Sequence, residues 1–362
     1  MNEKEKMVLD LIMQDAFLSQ QEMAEQLQMS RPALANIISG LIKKGEIIGR
    51  AYVLPEKDSI VAIGGANVDR KFYIQGSVQL GTSNPVHMSE SVGGVARNIA
   101  ENLGRLGNTV KLITAVGRDQ DAQMIKEESK AFINLDIVEK IENSSSGSYS
   151  AVLKDNGELV IAMANMDIYD QLLPSLLQKH EATLFNARCI IVDLNCPKDT
   201  VKYLKNIAST KNVPLAIIPV SSPKIKNLPE GLDGVTYFIC NQDEAETYLN
   251  MTLNQNSDYR NAVKQMLDQG AKNVVLTLGE EGVIVGNHEG INHFEAVKVD
   301  HVIDVTGAGD AFVSAFLHGS LNGESIEESV HYGLYNAAKT LQSDKTVRLD
   351  LTAEELHNWR NY

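Results

Sequence analysis

The chain contains few cysteines and no long apolar run. Its three cysteines, Cys189, Cys196 and Cys240, are odd in number and irregularly spaced, which argues against a disulfide framework or a zinc site. No apolar stretch approaches the roughly 18 residues that a membrane-spanning helix needs. The charged residues 3–6 are not typical of a targeting signal. We therefore expect a cytoplasmic protein with reduced thiols and no membrane-spanning segment.

Positive charge is also scarce. The chain of 362 residues has 33 Lys and Arg against 47 Asp and Glu, a formal net charge of −14 at pH 7. This balance argues against extensive binding to nucleic acid or anionic membranes, so any polyanion would have to meet a local basic patch. Hydrophobic residues make up 43% of the chain, which is enough for one large domain and a second, small one.

Residues 1–57 are expected to form the small domain. Apolar residues over 7–12 lie at helical spacing, and Ser19 with Glu22 forms the capping-box pattern of a second helix. A third helix is predicted over 30–44, with a capping serine, a proline in the first turn and an apolar stripe. Three short helices in close succession are typical of a compact helical module.

A hairpin and a linker are expected to complete this domain. Weak alternation over 47–54 predicts the hairpin, and residues 55–58 the linker. The arrangement resembles a winged helix-turn-helix, with residues 30–44 in the position of the recognition helix. Up to residue 54, six Lys and Arg stand against seven Asp and Glu, which is weak for a DNA binder. Two interpretations stay open: DNA contact through residues 1–57, or a protein-interaction or vestigial module.

From residue 59 the chain alternates between short apolar runs and helical patterns. This alternation predicts a doubly wound α/β domain over 58–362, with a mostly parallel sheet covered on both faces. Two segments, about 69–92 and 146–166, are instead typical of meandering strands and are expected to form a small β lid. The predicted strands of the main sheet are 60–65, 110–117, 189–193, 213–218, 235–240 and 274–279, and the helices between them are 96–106, 119–131, 198–210, 242–250, 259–269 and 310–322.

The most informative motif is Asp304-Val305-Thr306-Gly307-Ala308-Gly309-Asp310, which runs into an apolar helix. Glycines let the backbone approach a ligand, and the unpaired N–H groups of the first helical turn form an anion hole. Asp310 would repel a bound phosphate unless it serves as a base toward a hydroxyl. The motif therefore predicts phosphoryl transfer to an alcohol.

Two further glycine pairs come directly before polar residues. Asp69 follows the Gly64-Gly65 turn after the first strand, where its carboxylate can accept hydrogen bonds from vicinal hydroxyls. Asn98 lies in the first turn of a helix opened by Gly93-Gly94, where it can face a ligand. The alternatives are a tight turn with a capping Asp, and a tight turn with a solvent-facing Asn.

Two more motifs follow later strands. Asn241 and Glu244 share a helix face, where an amide and a carboxylate can orient water on Mg²⁺. The same pair is also typical of a capping box with no metal role. The segment from Thr277 through Gly279 to Gly282 offers backbone that can line a nucleotide, although it is not the dinucleotide fingerprint.

These motifs, in this order, resemble those of the ribokinase-like (PfkB) carbohydrate kinases, and the resemblance covers about 300 residues from residue 59. Within the family, Thr82-Ser83-Asn84-Pro85 and Asn165-Met166 are most similar to members that phosphorylate pseudouridine. The resemblance implies an ATP-dependent kinase, with pseudouridine as the expected substrate and another nucleoside or sugar as the alternative. It also implies Mg²⁺, a monovalent cation such as K⁺, and a homodimer.

The resemblance implies a role for each matching residue. Asp310 would take a proton from the 5′-hydroxyl as it attacks the γ-phosphate of ATP, while the N–H groups of Gly307, Ala308 and Gly309 stabilise the transferred phosphoryl group. Asn241 and Glu244 would hold hydrated Mg²⁺. The remaining implied contacts are Asp69, Asn67, Gly93, Gly94 and Asn98 with the ribosyl group, Ser83, Asn84 and Asn165 with the base, Thr277, Gly279 and Gly282 with the nucleotide, and Asp304 and Thr306 with the monovalent cation.

The sequence departs from the family pattern at two points. Ile218-Pro219-Val220-Ser221 lacks an acid that often precedes the proline, and Val305 replaces the usual Ser or Thr. The alternative to a kinase is a ligand-sensing DNA-binding regulator built on a kinase fold. A sensor needs none of the transfer chemistry, so retention of Asp310, Asn241 and Glu244 favours the enzyme.

Overall fold

The computed structural model describes residues 2–16, 18–48 and 58–361. The predicted hairpin over 47–54 lies outside the described residues except for Ile47 and Ile48, and the predicted linker does so except for Asp58. Among the described helices, none combines the length and apolar character needed to cross a bilayer.

The N-terminal residues form the three expected helices, α1 (Glu3–Gln14), α2 (Gln20–Gln26) and α3 (Arg31–Lys43). The Ser19 hydroxyl accepts a hydrogen bond from the Glu22 N–H, and the Glu22 carboxylate accepts one from the Ser19 N–H, which confirms the capping box. The apolar stripes meet in one small core, in which Val8, Leu34 and Leu41 are fully buried. The expected three-helix unit is therefore present.

The rest of the described chain alternates strands and helices. The strands are β1 (Ile60–Ile63), β2 (Asn67–Ile74), β3 (Val86–Gly93), β4 (Val110–Ile113), β5 (Ala115–Val116), β6 (Glu139–Lys140), β7 (Gly147–Leu153), β8 (Leu159–Asn165), β9 (Cys189–Asp193), β10 (Leu215–Ile218), β11 (Tyr237–Asn241), β12 (Asn273–Thr277), β13 (Val283–Asn287) and β14 (Gly290–Phe294). The helices are α4 (Val95–Arg105), α5 (Gln120–Ser129), α6 (Pro174–Leu177), α7 (Glu181–Phe185), α8 (Lys198–Lys211), α9 (Gln242–Leu249), α10 (Asn256–Asp268), α11 (Ala308–Leu321), α12 (Ile326–Leu341) and α13 (Ala353–Leu356). Short 3-10 helices span Asp167–Gln171, Gln178–His180, Ser222–Asn227, Gly279–Glu281 and His357–Asn361.

Eight strands form the main sheet, in the order β14-β13-β12-β11-β10-β9-β1-β4. Pairing is parallel from β12 to β4, whereas β13 and β14 run antiparallel at one edge. Apolar side chains cover both faces of the sheet, and one of the two cores contains α4 and α11. The doubly wound, mostly parallel α/β fold is therefore confirmed, and the carboxyl ends of its parallel strands meet at one edge.

A second sheet forms the expected lid, in the order β3-β2-β7-β8. β2 and β3 make an antiparallel hairpin, β7 runs parallel to β2, and β8 pairs antiparallel with β7. Asn67 and Gly93 pair at one end of the hairpin, where the lid leaves the main domain. The lid strands therefore begin and end beside the glycine turns predicted to bind ligand.

The two domains touch through a glycine turn after α3. The Asn186 side-chain amide donates hydrogen bonds to the carbonyl oxygens of Gly45, 2.9 Å away, and Ala182, 2.8 Å away. A side-chain atom built on Gly45 would lie 3.4 Å from Phe185. The turn after α3 therefore contacts α7 and the residue that follows it, Asn186.

Candidate active site

A pocket of about 360 Å³ opens where the lid meets the carboxyl ends of the parallel strands. Its volume falls within the range of roughly 300–1,000 Å³ that small-molecule sites span. The residues that line it come from both sheets and from two helix N-termini. They are Asn67, Asp69, Gly94, Val95, Asn98, Tyr149, Met166, Asn195, Val220, Thr306, Gly307, Gly309 and Asp310.

The floor of the pocket is the glycine loop that opens α11. Gly307 has φ 84°, and a side chain there would collide with the carbonyl oxygen of Thr346. No side chain caps α11, so the N–H groups of Gly309 and Asp310 lack helical partners and are available to an anion. The Ala308 N–H, part of the expected anion hole, lies 3.4 Å from the Val305 carbonyl oxygen and is partly engaged.

Asp310 and Asn98 meet across the pocket. The Asn98 side-chain amide donates a hydrogen bond of 2.8 Å to Oδ2 of Asp310, which leaves Oδ1 to accept a hydroxyl. Burial raises the pKa of Asp310 to about 7, against the opposing hydrogen bond from Asn98. Nearby carboxylates raise it further: Asp193, Asp69 and Glu244. A carboxylate with a pKa near neutrality is suited to proton transfer at physiological pH.

Asp69 faces the same pocket from the lid. The Asn67 side-chain amide donates a 2.5 Å hydrogen bond to Oδ1 of Asp69. Burial raises the pKa of Asp69 to about 6, although Asn67 and the charges of Lys71 and Arg97 oppose the shift. A Cβ atom on Gly93 would collide with Oδ2 of Asp69, so a larger residue there would displace that carboxylate.

Asp193 binds two backbone segments of the site, and the sequence did not identify it as a site residue. Its side chain is fully buried at the end of β9. Oδ2 accepts hydrogen bonds from the Gly65 N–H at 2.9 Å and the Ala96 N–H at 3.0 Å, while Oδ1 accepts one from the Asn195 N–H. Burial raises the pKa of Asp193 in spite of these bonds. One carboxylate therefore ties the first glycine turn to the start of α4.

Asn241 and Glu244 lie at the carboxyl end of β11 and do form a capping box. The Asn241 side chain accepts from the Glu244 N–H, and Oε2 of Glu244 accepts from the Asn241 N–H, both at 2.9 Å. Burial raises the pKa of Glu244 to about 7, and its charge acts on Asp310. The capping box, which the sequence also allowed, is therefore present. Oε1 of Glu244 and the Asn241 side-chain amide group can still orient water.

The residues expected to bind nucleotide lie next to the capping box of Asn241 and Glu244. Thr277 pairs in register with Asn241 on the adjacent strand. Gly279 and Gly282 follow with φ 61° and 89°, in a turn closed by a 2.8 Å hydrogen bond from the Leu278 N–H to the Gly282 carbonyl oxygen. These positions share the strand-end edge with the pocket but are not among its lining residues.

Asp304 and Thr306 form a local turn before the anion hole. Oδ1 of Asp304 accepts hydrogen bonds from the Thr306 N–H at 2.9 Å and from its hydroxyl at 2.7 Å. Oδ2 is held by the ammonium group of Lys71, which reaches down from the lid. Thr306 lines the pocket and Asp304 does not.

Ser83 and Asn84, the expected base contacts, are not brought to the pocket of their own chain. They lie in the loop beyond the hairpin pair Ile74 and Val86, seven residue pairs from Asn67, a span of about 23 Å along a strand. The Asn84 side chain is also engaged in its own loop, through hydrogen bonds with Gln79 and Thr82. Asn165, in contrast, ends β8 directly before the pocket residue Met166.

Five residues that line the pocket were assigned no role from the sequence: Val95, Tyr149, Met166, Asn195 and Val220. Tyr149 pairs in register with Asp69 on the neighbouring lid strand, so only the strand pairing reveals it. Asn195 follows a buried parallel strand, a signal that could have found it. Val220 has φ 75°, a strained conformation for a β-branched residue, in the segment that departs from the family pattern.

Comparison with known proteins agrees with this geometry. Residues 57–352 match the model of the pfkB family carbohydrate kinases, and residues 1–47 match a winged helix-turn-helix DNA-binding model. An uncharacterised sugar kinase of Escherichia coli K12 is 26% identical over 98% of both chains. The pseudouridine kinase of that strain is 30% identical over 82% of this chain and 95% of its own. A solved Arabidopsis thaliana ribokinase, complexed with ribose and ATP, shares the fold with a TM-score of 0.75 at 18% identity, over 84% of this chain and 99% of its own.

The chain therefore belongs to the pfkB family of carbohydrate kinases, with an N-terminal winged helix-turn-helix domain. It is a kinase of the ribokinase-like class, and its relatives include kinases of nucleosides and of ribose.

Proposed function

We propose that this protein transfers the γ-phosphoryl group of ATP to the 5′-hydroxyl of a ribosyl substrate, with pseudouridine as the favoured substrate. The observation that carries the proposal is the placement of Asp310. Its carboxylate has a pKa near 7 and lies at the mouth of an uncapped helix N-terminus, within the same pocket as Asp69 and Asn98. A base, an anion hole and a hydroxyl-binding carboxylate thus meet in one site.

The roles follow from this geometry. Asp69 and Asn67 would accept and donate hydrogen bonds to the ribosyl hydroxyls, so that the 5′-hydroxyl lies toward Asp310. Asp310 takes the hydroxyl proton as the oxygen attacks, while Asn98 holds the carboxylate through Oδ2. The N–H groups of Gly309 and Asp310 stabilise the negative charge on the transferred group.

Glu244 and Asn241 fit a hydrated Mg²⁺ better than a fully protein-ligated one. Within the described residues, no three His, Cys, Asp or Glu side chains come together as a metal site. Mg²⁺ keeps several water ligands and binds through one or two carboxylates and the phosphates of its nucleotide. When bound, it would neutralise phosphate charge, and Glu244 would orient its water shell.

Two observations support a nucleoside over a simple sugar. Two pocket residues come from the lid strand β7 and from the position after lid strand β8, Tyr149 and Met166, and an aromatic ring and a thioether form a surface suited to a base. The relative that is 30% identical is a pseudouridine kinase. Asn165, beside Met166, is the residue we expect to contact the base.

An ATP-consumption screen tests the proposal. Pseudouridine, uridine, other nucleosides, ribose and fructose are compared at equal concentration with Mg²⁺, followed by mass spectrometry of the product. The highest kcat/KM is expected for pseudouridine. Preference for ribose over every nucleoside would refute the substrate and leave the kinase assignment intact, whereas no ATP-dependent product from any acceptor would count against both.

A second candidate function is DNA binding by the N-terminal domain. The exposed side of α3 carries polar and basic side chains, Arg31, Asn36, Ser39 and Lys43, in the helix that the winged helix-turn-helix family places in the major groove. Selection from a randomised duplex library would reveal a preferred site. Arg31→Ala with Lys43→Ala should then weaken binding and reduce its salt dependence, whereas Lys6→Ala on α1 should not.

We also propose a homodimer formed through the lids. The edge strands of the lid sheet expose apolar side chains: Val86 and Met88 on β3, and Leu159, Ile161 and Met163 on β8. Unpaired edge strands with apolar side chains are disposed to pair with another chain. Light scattering during size-exclusion chromatography should give twice the chain mass, and Ile161→Lys should yield the monomer.

A further inference from the structure

Lys71 bridges the lid and the loop that precedes the anion hole. It lies on β2, two residues after Asp69, and its Nζ is 2.5 Å from Oδ2 of Asp304. The two side chains are 32% and 28% exposed, so the pair is partly shielded from solvent. Asp304, the first residue of the motif that ends at Asp310, is therefore already paired with a positively charged side chain of the protein, Lys71.

Both oxygens of the Asp304 carboxylate are engaged. Oδ1 accepts the backbone N–H and the hydroxyl of Thr306, and Oδ2 accepts Lys71. The Asp304 carboxylate is therefore paired with one positive charge, that of Lys71.

This arrangement does not fit the monovalent cation that the sequence led us to expect at Asp304 and Thr306. A K⁺ ion bound by the Asp304 carboxylate would share that group with the ammonium group of Lys71. Two positive charges held by one carboxylate repel each other. The Thr306 hydroxyl, a second expected ligand, donates a hydrogen bond to Oδ1 of Asp304. Lys71 therefore supplies the positive charge beside Asp304.

We propose that the Lys71 ammonium group replaces the monovalent cation beside the Gly307 anion hole, so that phosphoryl transfer by this kinase does not depend on K⁺. The inference deepens the proposed function and rests on it. Lys71 is a positioning residue: it acts through Asp304, whose turn with Thr306 leads directly into Gly307.

The neighbouring residue provides a matched control. Arg70 also ties the lid to the main domain, through hydrogen bonds of 2.6 and 3.0 Å to Asp121 on α5, and it contacts Glu90 within the lid. Arg70→Met therefore removes a lid bridge of similar exposure without removing charge next to the anion hole. Any effect of Lys71→Met that Arg70→Met reproduces belongs to lid attachment.

The activity test compares three salts at equal ionic strength: KCl, NaCl and tetramethylammonium chloride. The wild type is expected to have the same kcat/KM in all three within about twofold. Lys71→Met should lose about 10-fold or more in tetramethylammonium, less than the roughly 10²–10³-fold of a direct oxyanion donor because Lys71 acts through a turn. KCl should restore most of that loss in Lys71→Met and none in Arg70→Met.

Two measurements without nucleotide give a second readout. The Tm of Lys71→Met should rise with KCl relative to tetramethylammonium chloride, as expected when a ligand binds only the folded state, while the wild-type Tm should not. Crystals grown with Rb⁺ should show an anomalous peak at Asp304 in Lys71→Met alone. Both results stand even if the substrate proposal fails.

Three outcomes would overturn the inference. The first is strong K⁺ activation of the wild type, and the second is a Rb⁺ peak at its Asp304. The third is equal loss in Lys71→Met and Arg70→Met with no rescue by K⁺, which would make Lys71 a lid attachment only.

Discussion

Replacement of Asp310 by asparagine tests the role of its carboxylate in proton transfer and leaves the shape of the site nearly unchanged. Asparagine has nearly the same shape, and its carbonyl oxygen can still accept the hydrogen bond that Asn98 donates at 2.8 Å. The change removes the negative charge and the ability to take a proton. The fold and ATP binding should therefore survive, whereas the transfer step should lose its base.

The expected loss of activity follows from this role. General bases contribute about 10²–10⁴-fold, so kcat should fall by at least ~10²-fold with little change in the Kd for ATP. In the wild type, burial sets the pKa of Asp310 to about 7. Because the deprotonated form is the active one, kcat/KM should rise with pH through about 7 and then level off.

The same substitution should stabilise the protein at high pH. The pKa of Asp310 is about 7 in the fold against an ordinary value of 3.8, so its protonated form is favoured by folding. Stability from this group is present below pH 3.8 and is lost as pH rises through 7. The full shift corresponds to about 4 kcal/mol as an upper bound, and between pH 5.5 and 8.5 the gain in Asp310→Asn should grow by about 1 to 2 kcal/mol.

Two assays check these expectations. Single-turnover rates with saturating ATP report the transfer step, and urea unfolding at pH 5.5 and 8.5 reports the linked stability. The control is Asp121→Asn, which alters a carboxylate that binds Arg70 away from the pocket. Turnover near wild type would remove Asp310 from the role of base. A stability gain independent of pH would show that its pKa is not raised.

Three other changes test the supports of the site. Asp193→Asn should raise the KM for the acceptor and cost about 1–3 kcal/mol in urea unfolding, because the single amide oxygen cannot accept from Gly65 and Ala96 and also from the Asn195 N–H. Val220→Gly should be more stable to urea than Val220→Ala by about 1 kcal/mol, because φ is 75° there; equal stability would mean that the backbone is unstrained. Deletion of residues 1–57 should keep kcat within about twofold if the N-terminal unit is an independent domain, and collapse of the truncated protein would show that its contact at Asn186 is essential.

The sequence predicted the fold class because its signals are local. Short apolar runs and the helices between them are visible one segment at a time, and the strands at 60–63 and 189–193 fall where they were expected. It did not predict α12 or the antiparallel edge strands β13 and β14. Nine of the sixteen residues of α12 are buried, and they include the polar residues Ser329, Asn336 and Thr340, so a search for apolar residues at helical spacing does not reveal its whole buried face.

Contacts between distant segments account for what the sequence missed at the site. Asp193 and Gly65 are 128 positions apart, and Lys71 and Asp304 are 233 apart. No local sequence pattern indicates that a buried aspartate at the end of one strand binds the turn that follows another strand, as Asp193 of β9 does with Gly65 after β1. Ser83 and Asn84 show the reverse case, in which a motif was assigned to the pocket but lies at the remote end of a lid hairpin.

The pKa of Asp310 shows why the motif alone is an incomplete guide to chemistry. Judged locally, an aspartate in the first turn of a helix is stabilised as the anion by the helix dipole, so its pKa should fall. The fold reverses the sign, because burial dominates and carboxylates from three separate segments add their repulsion. Asp69 lies on the lid strand β2, Asp193 ends β9, and Glu244 lies in the helix after β11. The base is therefore tuned by the lid and by two parallel strands of the main sheet, and the glycine loop determines only where it lies.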